Sequence, residues 1–73
     1  MLGGSNMKTA EQIIEVIKET KRLYETHALV ARARLKKRMN EMTAQQVQVD
    51  LAYITDMEAR GYAMTLLLEE LEA

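Results

Sequence analysis

The chain has 73 residues and a formal charge of −1, with ten Lys and Arg against eleven acids, one His, and no Cys, Pro, Phe or Trp. That length makes one small domain, the missing cysteines exclude disulfides and thiolate zinc sites, and aliphatics and Met must fill any core. No apolar run approaches the roughly 20 residues needed to span a bilayer, and no hydrophobic signal-peptide core is present, so a cytoplasmic chain without membrane contact is expected.

Residues 1–8, with Gly3, Gly4 and Ser5, read as a flexible leader or expression remnant, with Met7 as the original start. A single helical domain is expected over 9–73. Thr9 with Gln12 three residues on forms a capping-box pattern that starts a helix over about 9–41. At 100° per residue, Ile13, Ile14, Val16, Ile17, Leu23, Tyr24, His27, Val30, Ala31, Leu35 and Met39 fall within about half its circumference. The other half is polar except for Leu29 and Ala33. One packed neighbour covers a stripe of roughly 100°, so an arc of roughly 180° predicts contact with more than one helix.

The capping-box pattern recurs at Thr43 with Gln46, which places a short connection near residues 40–43 and a second helix over about 44–72. A single continuous helix through this point is the competing reading. The early half of the second helix puts Ala44, Val47, Leu51 and Ile54 on one side. Its late half puts Tyr53, Met57, Gly61, Met64, Leu67, Leu68 and Leu71 on a side rotated by roughly 100°. Gly61 marks either a bend or a close helix crossing, and its place within the late apolar seam favours the crossing.

A turn near residue 42 sets residues whose numbers sum to about 84 side by side: Leu35 with Val49, Ala31 with Tyr53, His27 with Met57, Tyr24 with Arg60 and Gly61, Ile17 with Leu67. The same alignment sets the basic segment, Arg32, Arg34, Lys36, Lys37 and Arg38, beside Asp50 and Asp56, and Lys8 beside Glu69, Glu70 and Glu72. A lone hairpin leaves Val16, Leu23, Val30, Tyr62 and Leu66 in water, and burying side chains of this size at about 1.5–3 kcal/mol each drives association. The expected fold is therefore all-α, a two-helix antiparallel hairpin dimerising into a four-helix bundle. Its candidate dimer or partner interface comprises Val16, Leu23, Val30, Gly61, Tyr62, Met64, Leu66 and Leu68, with Leu29 and Tyr53 as further anchors. In outline this is similar to the plasmid regulator Rop, a helical hairpin that dimerises and binds paired RNA; the likeness is one of architecture and carries no residue assignments.

Catalytic chemistry is not legible. There is no phosphate-cradling Gly loop and no nucleophile–histidine set, and position 24, three before the only histidine, is Tyr rather than the Glu of a bundle metal site. His27 reads as a packed or boundary residue, and Glu69, Glu70 and Glu72 as a solvated helix end. No catalytic residue, metal or cofactor is expected. The basic segment offers Arg32, Lys36 and Lys37 as phosphate contacts, but it has no interleaved aromatics to stack on bases. The sequence thus predicts a small non-enzymatic interaction module of accessory, chaperone-like or phage- or plasmid-inhibitor type, acting on a protein partner as a homodimer. A nucleic-acid-binding regulator is the alternative.

Overall fold

A computed structural model describes residues 9–73; the leader and Lys8 lie outside the described residues. Helix α1 spans Ala10–Arg38, a 3₁₀ turn spans Met39–Glu41, and helix α2 spans Ala44–Glu72. Both helices begin on complete capping boxes. The Thr9 hydroxyl accepts from the Gln12 N–H at 3.2 Å while the Thr9 N–H donates to Gln12 Oε1 at 2.9 Å, and Thr43 with Gln46 repeats the same two distances.

The continuous-helix alternative is excluded at Met42 and Thr43, both extended with ψ of 149° and 161°. The regular part of α1 ends at Arg38, short of the expected residue 41. The chain tightens into a 3₁₀ turn closed by the Met42 N–H donating to the Met39 carbonyl at 3.2 Å. Lys36, Lys37 and Arg38 fill the last turn of α1, where cations complement the negative end of the helix dipole.

The two helices pack as an antiparallel hairpin along one seam. Ala28 and Leu35 of α1 and Ile54, Gly61 and Leu68 of α2 are buried, while Ile14, Ile17, Lys21, Tyr24 and Ala31, with Val47, Asp50, Met57 and Met64, are partly covered. In each helix these positions step by three and four residues in alternation, the heptad spacing of a coiled coil. The alignment is fixed at Gly61, where an added methyl would lie 3.7 Å from Tyr24 Cβ and 3.5 Å from Glu25 Cγ. Facing residues therefore sum to about 85.

The expected meeting of Tyr24 with Arg60 and Gly61 is found, and the sum of about 84 is met to within one residue; some of the other expected pairs are covered differently. Ile54 is buried and Tyr53, expected opposite Ala31, is exposed; of Leu67 and Leu68, both expected in the late seam, only Leu68 is buried. His27 is exposed rather than packed on Met57, because Ala28 takes the seam position beside it. The reason is physical: apolar residues stand side by side at 27–28, 53–54 and 67–68, so hydrophobic counting cannot choose between neighbours. Size distinguishes the positions instead, since the small residues Ala28, Ala31 and Gly61 stand in the seam. Helix α2 runs unbroken through Gly61, whose φ is not positive, so the glycine marks no bend; it is buried facing Tyr24 and Glu25 of α1 at a distance that would also admit an alanine.

The resulting core is thin. Ala28, Leu35, Ile54 and Leu68 are the only buried hydrophobic side chains among the described residues. No helix among them is long and apolar enough to cross a membrane.

Candidate interaction surface

With Ile14, Lys21, Ala28 and Leu35 lettered a in the heptad, and Val47, Ile54, Gly61 and Leu68 likewise in α2, the flanks of the seam fall into two classes. In an antiparallel pair the e positions of both helices share one side and the g positions the other. The e side is bridged by the chain's own ion pairs, although Leu51 at e and Leu29 and Tyr62 at b stand exposed there. Lys18 meets Glu72 at 3.4 Å and Arg32 meets Glu58 between the helices, and Lys21 meets Glu25 at 2.8 Å along α1. Leu29 and Tyr62 line a shallow groove on this side together with Arg32 and Glu58.

The g side is different. From α1 it presents Ile13, Thr20, His27 and Arg34 at g and Val16, Leu23 and Val30 at c; from α2 it adds Tyr53, Arg60 and Leu67 at g and Val49, Asp56, Ala63 and Glu70 at c. Seven of the large exposed hydrophobics lie here, among them Leu23 at 58% exposure and Val16 and Val30 at 45% each. Its polar groups are largely matched to one another. The Tyr53 hydroxyl and His27 Nδ1 are hydrogen-bonded at 3.3 Å across the seam. Arg60 donates from Nε to Asp56 at 3.1 Å, and its guanidinium lies 5.9 Å from the centre of the Tyr24 ring. Hydrogen bonding to Tyr24, and then the charge of Asp56, hold the Arg60 pKa even above its usual high value, so this group stays cationic.

The interface expected from the sequence is not one surface. Val16, Leu23 and Val30 do lie together on the g side. Gly61, Met64 and Leu68 sit in or against the seam of the hairpin, where α1 of the same chain covers them. Tyr62, 64% exposed, belongs to the charged side. Leu66, at an f position, faces away from α1 and lines a hollow at the open end with Ala63, Leu67 and Ala73. Ile13, Val49 and Leu67, with Tyr53, complete the apolar side; the first three fall outside the expected interface. A signal for the α1 part exists in the sequence: positions 13, 16, 20, 23, 27, 30 and 34 repeat the three-and-four spacing one residue before the seam.

The basic segment is also split. The Arg32 charge is taken up by Glu58, while Asp56 pairs with Arg60 rather than with the basic segment. Arg34, Lys36, Lys37 and Arg38 make no ion pair among the described residues; Arg34, Lys37 and Arg38, spaced by three and four residues, share one side of α1, and Lys36 lies on the opposite side. Among the described residues no group of three His, Cys, Asp or Glu side chains is placed to hold a metal ion. Comparison with protein-family models, with curated proteins and with solved structures finds no match to this chain.

Proposed function

We propose that the chain is a small non-enzymatic interaction module that works as a helical homodimer through the apolar g side of the hairpin. One observation carries this reading: interhelical ion pairs bridge the seam on the e side, beside the exposed Leu29, Leu51 and Tyr62, whereas on the g side seven exposed apolar side chains repeat at regular spacing and no ion pair bridges the helices among the described residues. Half-burying seven such side chains gains on the order of 0.7–1.5 kcal/mol each, or about 10–20 kcal/mol for two copies, against an association cost of roughly 4–15 kcal/mol. A protein partner would then dock on the assembled bundle, for which the exposed groove of Leu29 and Tyr62 supplies an aromatic anchor.

The test is the molar mass in solution of the native chain and of a Leu23→Glu/Val30→Glu variant, by light scattering on a sizing column. A dimer reduced to monomer by the double change supports the reading, and a native chain that stays monomeric at high concentration refutes it. The nucleic-acid reading draws on Arg34, Lys36, Lys37 and Arg38 at the turn, which make no ion pair among the described residues. It requires RNA or DNA binding that falls steeply with salt and disappears in Lys36→Glu/Lys37→Glu; absence of binding at low ionic strength removes it.

A further inference from the structure

We infer that the occupant of the apolar g side is a second copy of this chain laid antiparallel to the first, with α1 against α1 and Leu23 of the two copies meeting on the two-fold axis. The inference rests on the reading of that side as an interaction surface and adds what covers it and in which direction. Two hairpins stacked face to face about a two-fold axis have two arrangements. With the axis along the helices, both turns lie at one end and α1 stacks on α2 of the other copy. With the axis across the helices, the turns lie at opposite ends and like helices stack.

Charge separates the two. The turn half of the hairpin, residues 29–56, carries five cations against three acids, whereas the open half, residues 9–28 and 57–73, carries four cations against eight acids. Parallel stacking sets basic end on basic end and acidic end on acidic end. Antiparallel stacking sets each basic end over an acidic one, and brings Arg34 to the same end of the bundle as Glu70 of the second copy. Like-charge juxtaposition is what decides between otherwise similar packings.

The α1 strip is also complementary to itself in that direction. Val16 and Val30 stand seven residues to either side of Leu23. Turned about Leu23, Val16 meets Val30 of the second copy, Thr20 meets His27, and Leu23 meets Leu23, so that no charged side chain falls at the centre of the strip. On α2 the Asp56–Arg60 pair is neutralised within its own chain, and Arg60 comes over the small Ala63 of the second copy. A covered face thus holds no isolated charge near the axis.

The chain has no cysteine, so introduced ones report without background. A disulfide needs Cα atoms within about 7 Å, which only residues close to the axis meet with themselves. The experiment oxidises single-cysteine chains whose molar mass is measured first. Leu23→Cys is expected to give covalent dimer as its main product. Val16→Cys mixed with Val30→Cys is expected to link several-fold more than either alone, a second readout should Leu23→Cys fold poorly. A native chain that is monomeric overturns this inference together with the interaction-surface reading. A native dimer in which the Leu23→Cys chain fails to link to itself, whether or not it links to Ala63→Cys, overturns the antiparallel arrangement and leaves that reading standing.

Discussion

Replacing Gly61 with Ala should stabilise the protein, although Gly61 is buried at the point where the helices cross. Glycine inside a helix costs about 0.8–1.0 kcal/mol relative to alanine. The added methyl would meet Glu25 Cγ at 3.5 Å and Tyr24 Cβ at 3.7 Å, ordinary van der Waals separations that require nothing to move. Its own burial adds up to about 0.8 kcal/mol. The expected gain is therefore about 1–2 kcal/mol, and at roughly 4–8 °C per kcal/mol for a domain of this size the midpoint should rise by about 5–15 °C. Thermal unfolding followed by far-ultraviolet circular dichroism measures it, with both chains at one concentration because a dimer's Tm depends on concentration. Gly61→Leu, whose longer side chain cannot pass Tyr24 Cβ without displacing it, should instead lose about 1–3 kcal/mol. A Gly61→Ala chain that melts lower than the native one would refute the spacing of the helices at this layer.

Ile54, only 2% exposed, is the most completely covered apolar side chain among the described residues, and Ile54→Ala should cost about 2–5 kcal/mol, enough to unfold much of so small a domain in urea titration. Thr43→Ala removes the capping hydroxyl that starts α2 and should cost about 1 kcal/mol, with Thr43→Ser recovering most of it in the same titration. Arg32→Ala and Glu58→Ala should each change stability by only about 0–1 kcal/mol, since both side chains are about half exposed; the difference should shrink further in high salt. A double-mutant cycle on this pair that returned a large, salt-independent coupling would contradict its placement at the solvent edge of the seam.

Local signals in the sequence are strong enough to define most of the hairpin. Thr9 with Gln12 and Thr43 with Gln46 mark both helix starts to the residue, because a capping box needs two particular side chains at one spacing. The end of α1 is less legible, since nothing between Lys37 and Met42 forbids another helical turn; the extended backbone that Thr43 needs sets the limit from the other side. Alignment between the helices is legible only to within one residue. Tyr53 beside Ile54 and Leu67 beside Leu68 give hydrophobicity no preference, and the choice falls to shape at Gly61. His27, expected as packed or boundary, and Tyr53, expected opposite Ala31 or as a surface anchor, both stand on the exposed side, where they bond to each other.

The half-circumference of apolar residues on α1 is two adjacent heptad stripes rather than one wide one, and their chemistry explains which of them closes the hairpin. The a and d stripe carries Ala28 and Ala31 among Ile14, Ile17, Tyr24 and Leu35, with Gly61 facing it from α2; the c and g stripe carries Ile13, Val16, Leu23 and Val30. The e-side pairs Lys18–Glu72 and Arg32–Glu58 form only when α1 and α2 of one chain meet along the a and d stripe. The g side, with Leu23 at its middle, is left as the surface on which a further pair of helices would complete the core.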